Sequence, residues 1–409
     1  MKTSATHPLP TDASAGPAGA APLLPLGFTA STASAAIKKP GRNDMGLLRC
    51  PEGATLAALY TTNQVCAAPV QLDRRHLRES RGHCGAILIN SGCANAATGD
   101  RGMASAVEIA DAVARACDIS PVAVQHNSTG VIGVQLPLER MLPQIAPMAS
   151  RAQHGTIEDF ARAIMTTDTY PKWASRTVNH EGRSCTVVGC AKGAGMIHPN
   201  MATMISVMAT DAALTPAEID GHLRAAVERS FHRISIDGDT STNDSVFALA
   251  SGVAGSFPSA AIAEAFKDVA RDLALLIVRD GEGYERGIHV QVTGATNDAD
   301  ALSVAKTIAS SLLVRCAVTG GDPNWGRILA AAGRAGVPLD VNALTLTVGG
   351  VALFEHGAPA ETPLAAREAA FRKSMVEVRL DLGQGSATEE FISCGLTKAY
   401  VELNADYTT

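Results

Sequence analysis

A chain of 409 residues, 46% hydrophobic, 18% charged and 4% aromatic, can bury one large core or two to three ordinary ones, so disorder is not its expected state. A net charge of −6 and a pI near 6.0 exclude a global positive field for nucleic acid or an anionic membrane surface. No uncharged apolar run reaches the roughly 18 residues that would suggest a bilayer span, so the expected partners are small molecules, with no nucleic acid and no membrane.

Residues 1–25, rich in Ala, Pro, Ser and Thr and without an uninterrupted apolar segment, read as a flexible tail rather than a signal peptide. From about Gly46 short apolar runs alternate with helical periods. Ala86–Asn90 is a buried-strand candidate, followed by the small residues of Ser91–Ala96, and 102–116 has helical spacing. Cys185–Ala191 is a further strand candidate. Thr215-Pro216-Ala217-Glu218 is a capping box with proline at the first helical position, and Leu214 is placed to staple against Ile219, which predicts a helix to about Ser230. Helical periods recur over 259–278, 298–313 and 363–373, and the strict alternation of 376–382 predicts a half-exposed strand. Asp322-Pro323 predicts an N-cap and first residue of a short helix carrying Arg327.

Nine cysteines, scattered from Cys50 to Cys394 without a CxxC pair, suit a reducing compartment, and a cytoplasmic location is expected. Asp237, Asp239, Ser241 and Asn243 alternate like calcium ligands. The EF-hand pattern nevertheless fails at Thr242 and Ala248, and no HExxH or Cys/His quartet suggests zinc, so no metal site is expected.

The segment Lys192-Gly193-Ala194-Gly195-Met196-Ile197-His198-Pro199-Asn200-Met201-Ala202-Thr203-Met204 follows a strand candidate and is built to let backbone come close to a ligand or a strained bond. Its lysine precedes the glycines, so it is not a phosphate loop. His198, five residues before Thr203, reads as structural rather than as a proton carrier. Composition alone leaves an ordinary glycine-rich turn and a reactive loop equally open.

This string resembles the cleavage-site signature of the glutamate N-acetyltransferases of arginine biosynthesis, also called ornithine acetyltransferases. Further blocks of that pattern stand in order: Thr61-Thr62-Asn63, Asn90-Ser91-Gly92, Ser128-Thr129-Gly130-Val131-Ile132-Gly133, Met165-Thr166-Thr167-Asp168-Thr169, Asp237–Asp244, Arg279-Asp280-Gly281-Glu282-Gly283, Asp322–Arg327 and Tyr400–Thr409. The likeness runs from about residue 26 to the end.

The resemblance implies an α/β fold: a layered α/β/β/α sandwich, also found in self-cleaving aminopeptidases, with a smaller α/β C-terminal domain. It implies cleavage between Ala202 and Thr203 into fragments 26–202 and 203–409, two of each assembling together. A threonine behind a small residue suits such chemistry. Its hydroxyl attacks the preceding carbonyl, and the freed α-amine, with a reference pKa of about 7.7–8.0, serves afterwards as base for the same hydroxyl.

By the same resemblance Thr203 is the acetyl-carrying nucleophile, Thr129 and Gly130 form the oxyanion hole, and Thr166, Lys192, Thr203, Glu282, Asn404 and Thr409 bind substrate. The expected substrates are N-acetylornithine and glutamate, with no cofactor and acetyl-CoA open as a co-substrate. After Glu282-Gly283 the family's small residue, hydroxyl and lysine are replaced by Tyr284-Glu285-Arg286, which bears on the shape of the acceptor pocket. A self-cleaving aminopeptidase or amidase is the rival enzyme class, and an uncut ligand-binding relic the rival outside enzymes.

Overall fold

The computed structural model describes residues 19–198 and 204–406, which form two compact units, one of 19–198, 204–282 and 404–406 and the other of 283–403. Within the larger unit the strands are β1 (Thr29–Ala33), β2 (Met45–Tyr60), β3 (His83–Cys93), β4 (Val124–Val131), β5 (Lys172–His180), β6 (Arg183–Lys192), β7 (Ile205–Ala212) and β8 (Ser245–Gly255). Its helices are α1 (Ala68–Glu79), α2 (Gly99–Cys117), α3 (Leu138–Arg151), α4 (Glu158–Ala163), α5 (Pro216–Glu228) and α6 (Ser259–Arg279). Strand order is β4-β3-β2-β8-β7-β6-β5, with β1 beside β2.

Sixteen residues long, β2 joins the halves of this sheet: Met45–Arg49 pair with β3, the register slips between Arg49 and Ala54, and Thr55–Tyr60 pair with β8. Successive side chains of a strand point to opposite faces. Accordingly Leu47 and Leu88 pack with Ile109 and Val113 of α2 and Met148 of α3. Their neighbours Leu48, Ile87 and Ile89 instead meet Val188, Cys190, Ile205, Val207 and Phe247 from the other half. Beyond that half, Gly189 lies against Val269 and Leu273 of α6, so a side chain there would intrude on the helix. The result is the expected order of helix, sheet, sheet, helix.

The smaller unit contains β9 (Gly287–Ala295), β10 (Thr345–Val348), β11 (Val351–Glu355), β12 (Ala358–Pro359), β13 (Met375–Asp381) and β14 (Ala387–Cys394). Their order is β12-β11-β10-β13-β9-β14, and the helices are α7 (Asp298–Ala309), α8 (Leu312–Gly320), α9 (Trp325–Gly333) and α10 (Leu364–Phe371). The half-exposed alternation read over 376–382 is β13. A last helix, α11, spans Lys398–Asp406.

Three details differ from the sequence reading. The 298–313 period is two helices, because Ser311 is extended (φ −69, ψ 119) and caps α8, while Ile308, Val314 and Val318 still reach the same core and preserve the apolar spacing. The helix after Asp322-Pro323 begins at Trp325 with Asn324 as its cap. Of the described residues ahead of 26, Pro22 and Leu24 are tied down: Leu24 is buried, its N–H donates to Gly155 O, and Ile157 N–H donates to Pro22 O. The capping box at Thr215 and Glu218 forms as read, with both reciprocal hydrogen bonds. Among the described residues no single helix is long and apolar enough to cross a membrane.

Candidate active site

Strands β3 and β4 run parallel, pairing Ser91 with Thr129 and Gly92 with Gly130 at their C-terminal ends. Gly130 has φ +132, and a Cβ built on it would sit 2.6 Å from Cys93 N and 2.7 Å from Gly92 Cα. Only glycine satisfies both the dihedral and the spacing. Buried amides and hydroxyls hold this strand end from beneath: Asn243 Nδ2 donates to Ala94 O (2.6 Å) and Ser128 O (2.8 Å), and Ser128 Oγ donates to Asn90 Oδ1 (2.7 Å). Next to them, burial pushes the His126 imidazole down to about 3, so it stays neutral at physiological pH.

Lys192 ends β6, is only 3% exposed, and donates from Nζ to Thr129 Oγ1 at 3.2 Å. The hydroxyl accepts this bond and keeps its own proton to donate elsewhere. Burial lowers the lysine's pKa, and the Lys172 cation adds to that; Asp168, Asp244 and Glu282 act against it.

Below the lysine a buried clasp joins three segments. Lys172 Nζ donates to Asp168 Oδ1 at 2.7 Å and to Asp280 Oδ2, while Asp168 also accepts from Gly193 N–H (2.7 Å) and Thr166 N–H (2.9 Å). Burial by itself would raise the Asp168 pKa, but Lys172, Lys192 and the Gly193 N–H together hold it below the ordinary carboxylate range. Truncating Lys172 to alanine would bury two unneutralised carboxylates, so thermal or urea denaturation is expected to show a loss of about 3–5 kcal/mol.

Met196 and Ile197, ahead of the expected cut, are anchored on Asp237, whose carboxylate accepts from Met196 N–H (2.5 Å) and Ile197 N–H (2.9 Å). Burial pushes this acid up to about 6, against the pull of those N–H groups. His198 Nδ1 bonds Ser235 Oγ at 3.0 Å. On the far side, Met204 N–H donates to Asp244 Oδ1 at 3.0 Å, and burial raises the Asp244 pKa well above its ordinary value, with the Met204 N–H and Lys192 opposing.

Glu282 N–H donates to Ala194 O (2.8 Å), and its carboxylate lies where a Cβ on Gly195 would fall, 2.6 Å from Oε2. Asn404 Nδ2 donates to the same Oε2 at 2.9 Å. Thr166 lines a cavity with Lys38, Lys39, Arg42, Asp44, Ser91 and Gly92. Thus Thr129, Gly130 and Lys192 are brought together, Glu282 and Asn404 form a second pair, and Thr166 stands in a third place. Ala202, Thr203 and Thr409 lie outside the described residues.

In the departing triplet, Tyr284 Oη donates to Ser374 O (3.3 Å) and Arg286 Nη1 donates to Thr319 O (2.5 Å) near the end of α8, where a cation is favoured. Sequence reasoning assigned no role to Lys172, Asp44, Asp237 or Asp244. Three of these stand inside or beside the quoted motif blocks, but nothing in their spacing says which backbone groups they hold.

The chain is an α/β enzyme, an acyltransferase. It belongs to the ArgJ family, whose profile it matches over residues 29–409. It is 43% identical over 395 residues to the arginine biosynthesis bifunctional protein ArgJ of Nitratidesulfovibrio vulgaris, covering 94% of this chain and 98% of that one. Against the protein of the same description from Geobacter sulfurreducens it is 44% identical over 391 residues, covering 94% and 99%. The crystal structure of arginine biosynthesis bifunctional protein argJ from Bacillus halodurans has 36% sequence identity and a TM-score of 0.47, covering 48% of this chain and 96% of that chain.

Proposed function

We propose that this chain moves the acetyl group of N2-acetylornithine to the α-amine of glutamate, giving ornithine and N-acetylglutamate in arginine biosynthesis. The nucleophile is Thr203, exposed as a new N-terminus by cleavage after Ala202 into fragments 26–202 and 203–409. The observation that supports this best is a register: Lys192 is paired with Ile205 across β6 and β7, and its Nζ touches Thr129. Thr203 precedes Ile205 in sequence by two positions, so the proposed nucleophile belongs to the chain that enters β7 opposite Lys192.

In the first half-reaction the Thr203 hydroxyl, relieved of its proton by its own α-amine, attacks the acetyl carbonyl. The developing oxyanion meets the Thr129 hydroxyl and the Gly130 N–H, and Lys192 behind Thr129 strengthens that donor. The carbon–nitrogen bond breaks, ornithine leaves with the proton, and an acetyl ester remains on Thr203. Glutamate's amine then attacks the ester and the carbon–oxygen bond breaks. Two easier steps replace one difficult transfer. Glu282, steadied by Asn404, offers the anion for the ornithine ammonium.

Thr166 and Thr409 complete the substrate contacts. No cofactor is required, acetyl-CoA is a candidate second donor, and the fragments assemble in the cytoplasm as two of each kind. The test is an assay with acetylornithine and glutamate, each omitted in turn. Ornithine and acetylglutamate should appear in equal amounts and only when both are supplied at turnover. Release of acetate in place of acetylglutamate would instead mark a hydrolase, with water as the acceptor.

A further inference from the structure

The cavity beside Thr166 has a composition that the transfer chemistry leaves unexplained. Its volume is about 180 Å3, and Lys38, Lys39 and Arg42 contribute three cations to its lining against the single carboxylate of Asp44. That carboxylate is occupied within the protein, accepting from Ala35 N–H and Ile37 N–H at 2.7 Å each, so it fixes the loop that bears the two lysines. Arg42 is steered as well: Nη2 donates to Ser91 Oγ at 3.0 Å and to Met165 O, next to Thr166. A guanidinium has five donors, so these bonds leave others for a ligand.

The loop that bears the lysines lies against the end of β3. A Cβ on Gly92 would fall 3.0 Å from Lys38 Cβ, and Gly92 is the strand partner of Gly130. The loop that would hold an anion here is therefore packed against the strand end that carries Thr129 and Gly130. The phosphates of a nucleotide carrier would need a larger chamber, since pockets for drug-sized ligands run to about 300–1,000 Å3. One α-carboxylate does not call for three cations, and a side chain ending in an ammonium would be repelled by them.

We infer that Lys38, Lys39 and Arg42 form the subsite for the side-chain carboxylate of the acyl acceptor, and so select a dicarboxylic amino acid for the second half-reaction. This rests on the acetyl-transfer reading above. It gives that reading two poles: the donor's ammonium goes to Glu282 and Asn404, the acceptor's second carboxylate to the loop at 38–42.

The test uses a Lys38→Ala, Lys39→Ala double variant of the full chain, keeping Arg42 because it also ties Ser91 and Met165. The measurements are the KM for glutamate and for glutamine, the KM for acetylornithine in the donor half-reaction, and calorimetric binding of both acceptors. The expected result is a glutamate KM and Kd raised about tenfold or more, as loss of charge-assisted bonds implies. Glutamine should change little, and the acetylornithine KM should move by less than about twofold, given that no cation is needed for its ammonium. An unchanged glutamate Kd, an equal weakening of glutamate and glutamine, or an equal rise in the acetylornithine KM would each overturn the subsite. If wild-type enzyme releases no ornithine from acetylornithine, the acetyl-transfer reading fails, while the glutamate-against-glutamine binding comparison still decides whether the subsite exists.

Discussion

Replacing Thr203 by alanine is expected to leave one chain of 42.2 kDa on a denaturing gel, where the proposed self-cleavage predicts two fragments meeting at Ala202 and Thr203 for the unchanged protein. Acetyl transfer should fall by at least ~10³-fold, the scale seen when a nucleophile that works as a unit with its base is removed. The variant loses the hydroxyl that shifts the acyl group from nitrogen to oxygen, and without cleavage it also lacks the free amine. Thr203→Ser separates these losses. It keeps an attacking oxygen, so slow processing followed by measurable transfer is expected. Normal processing of the alanine variant would remove Thr203 from both roles.

The second large effect is at Gly130. A methyl group there collides with the Gly92–Cys93 backbone while demanding φ +132 of a residue with a side chain. Gly130→Ala should lower the rate constant for acetyl transfer by about 10²–10³-fold through displacement of an oxyanion donor. Because this variant also strains two strands, Thr129→Ala is the companion: it removes only the hydroxyl that Lys192 contacts, and a loss of roughly 10–10³-fold with little change in melting temperature is expected. A Thr129→Ala enzyme of native activity would mean that the oxyanion is held by something other than this strand end.

Local features were the most legible in the sequence. The capping box at Thr215 needs only four residues, and its two hydrogen bonds form within that stretch. The period at 298–313 reads as one continuous helix for an equally local reason: apolar spacing reports the face turned to the core, and two helices with a serine break can share one face. The family likeness brought Thr129, Gly130 and Lys192 onto one list, and the strands place them together. What spacing cannot convey is the partner of a buried charge. Lys172 and Asp280 are 108 positions apart, and Asp168 reads as an ordinary polar residue until the lysine and the Gly193 N–H are seen around it. The cationic loop is not legible in one dimension, where Lys38, Lys39 and Arg42 look like solvated surface; only the fold brings Thr166 and Gly92 alongside.

The strand order carries a consequence for the life history of the molecule. With the proposed break after residue 202, β8 and β7 would belong to the second product, wedged between strands of the first and hydrogen-bonded to β2 on one side and β6 on the other. Such a slat cannot slide free without tearing both flanking ladders. The two products should therefore stay locked together after scission, and making them as separate polypeptides should yield material that finds its native form only if both are allowed to fold in each other's presence.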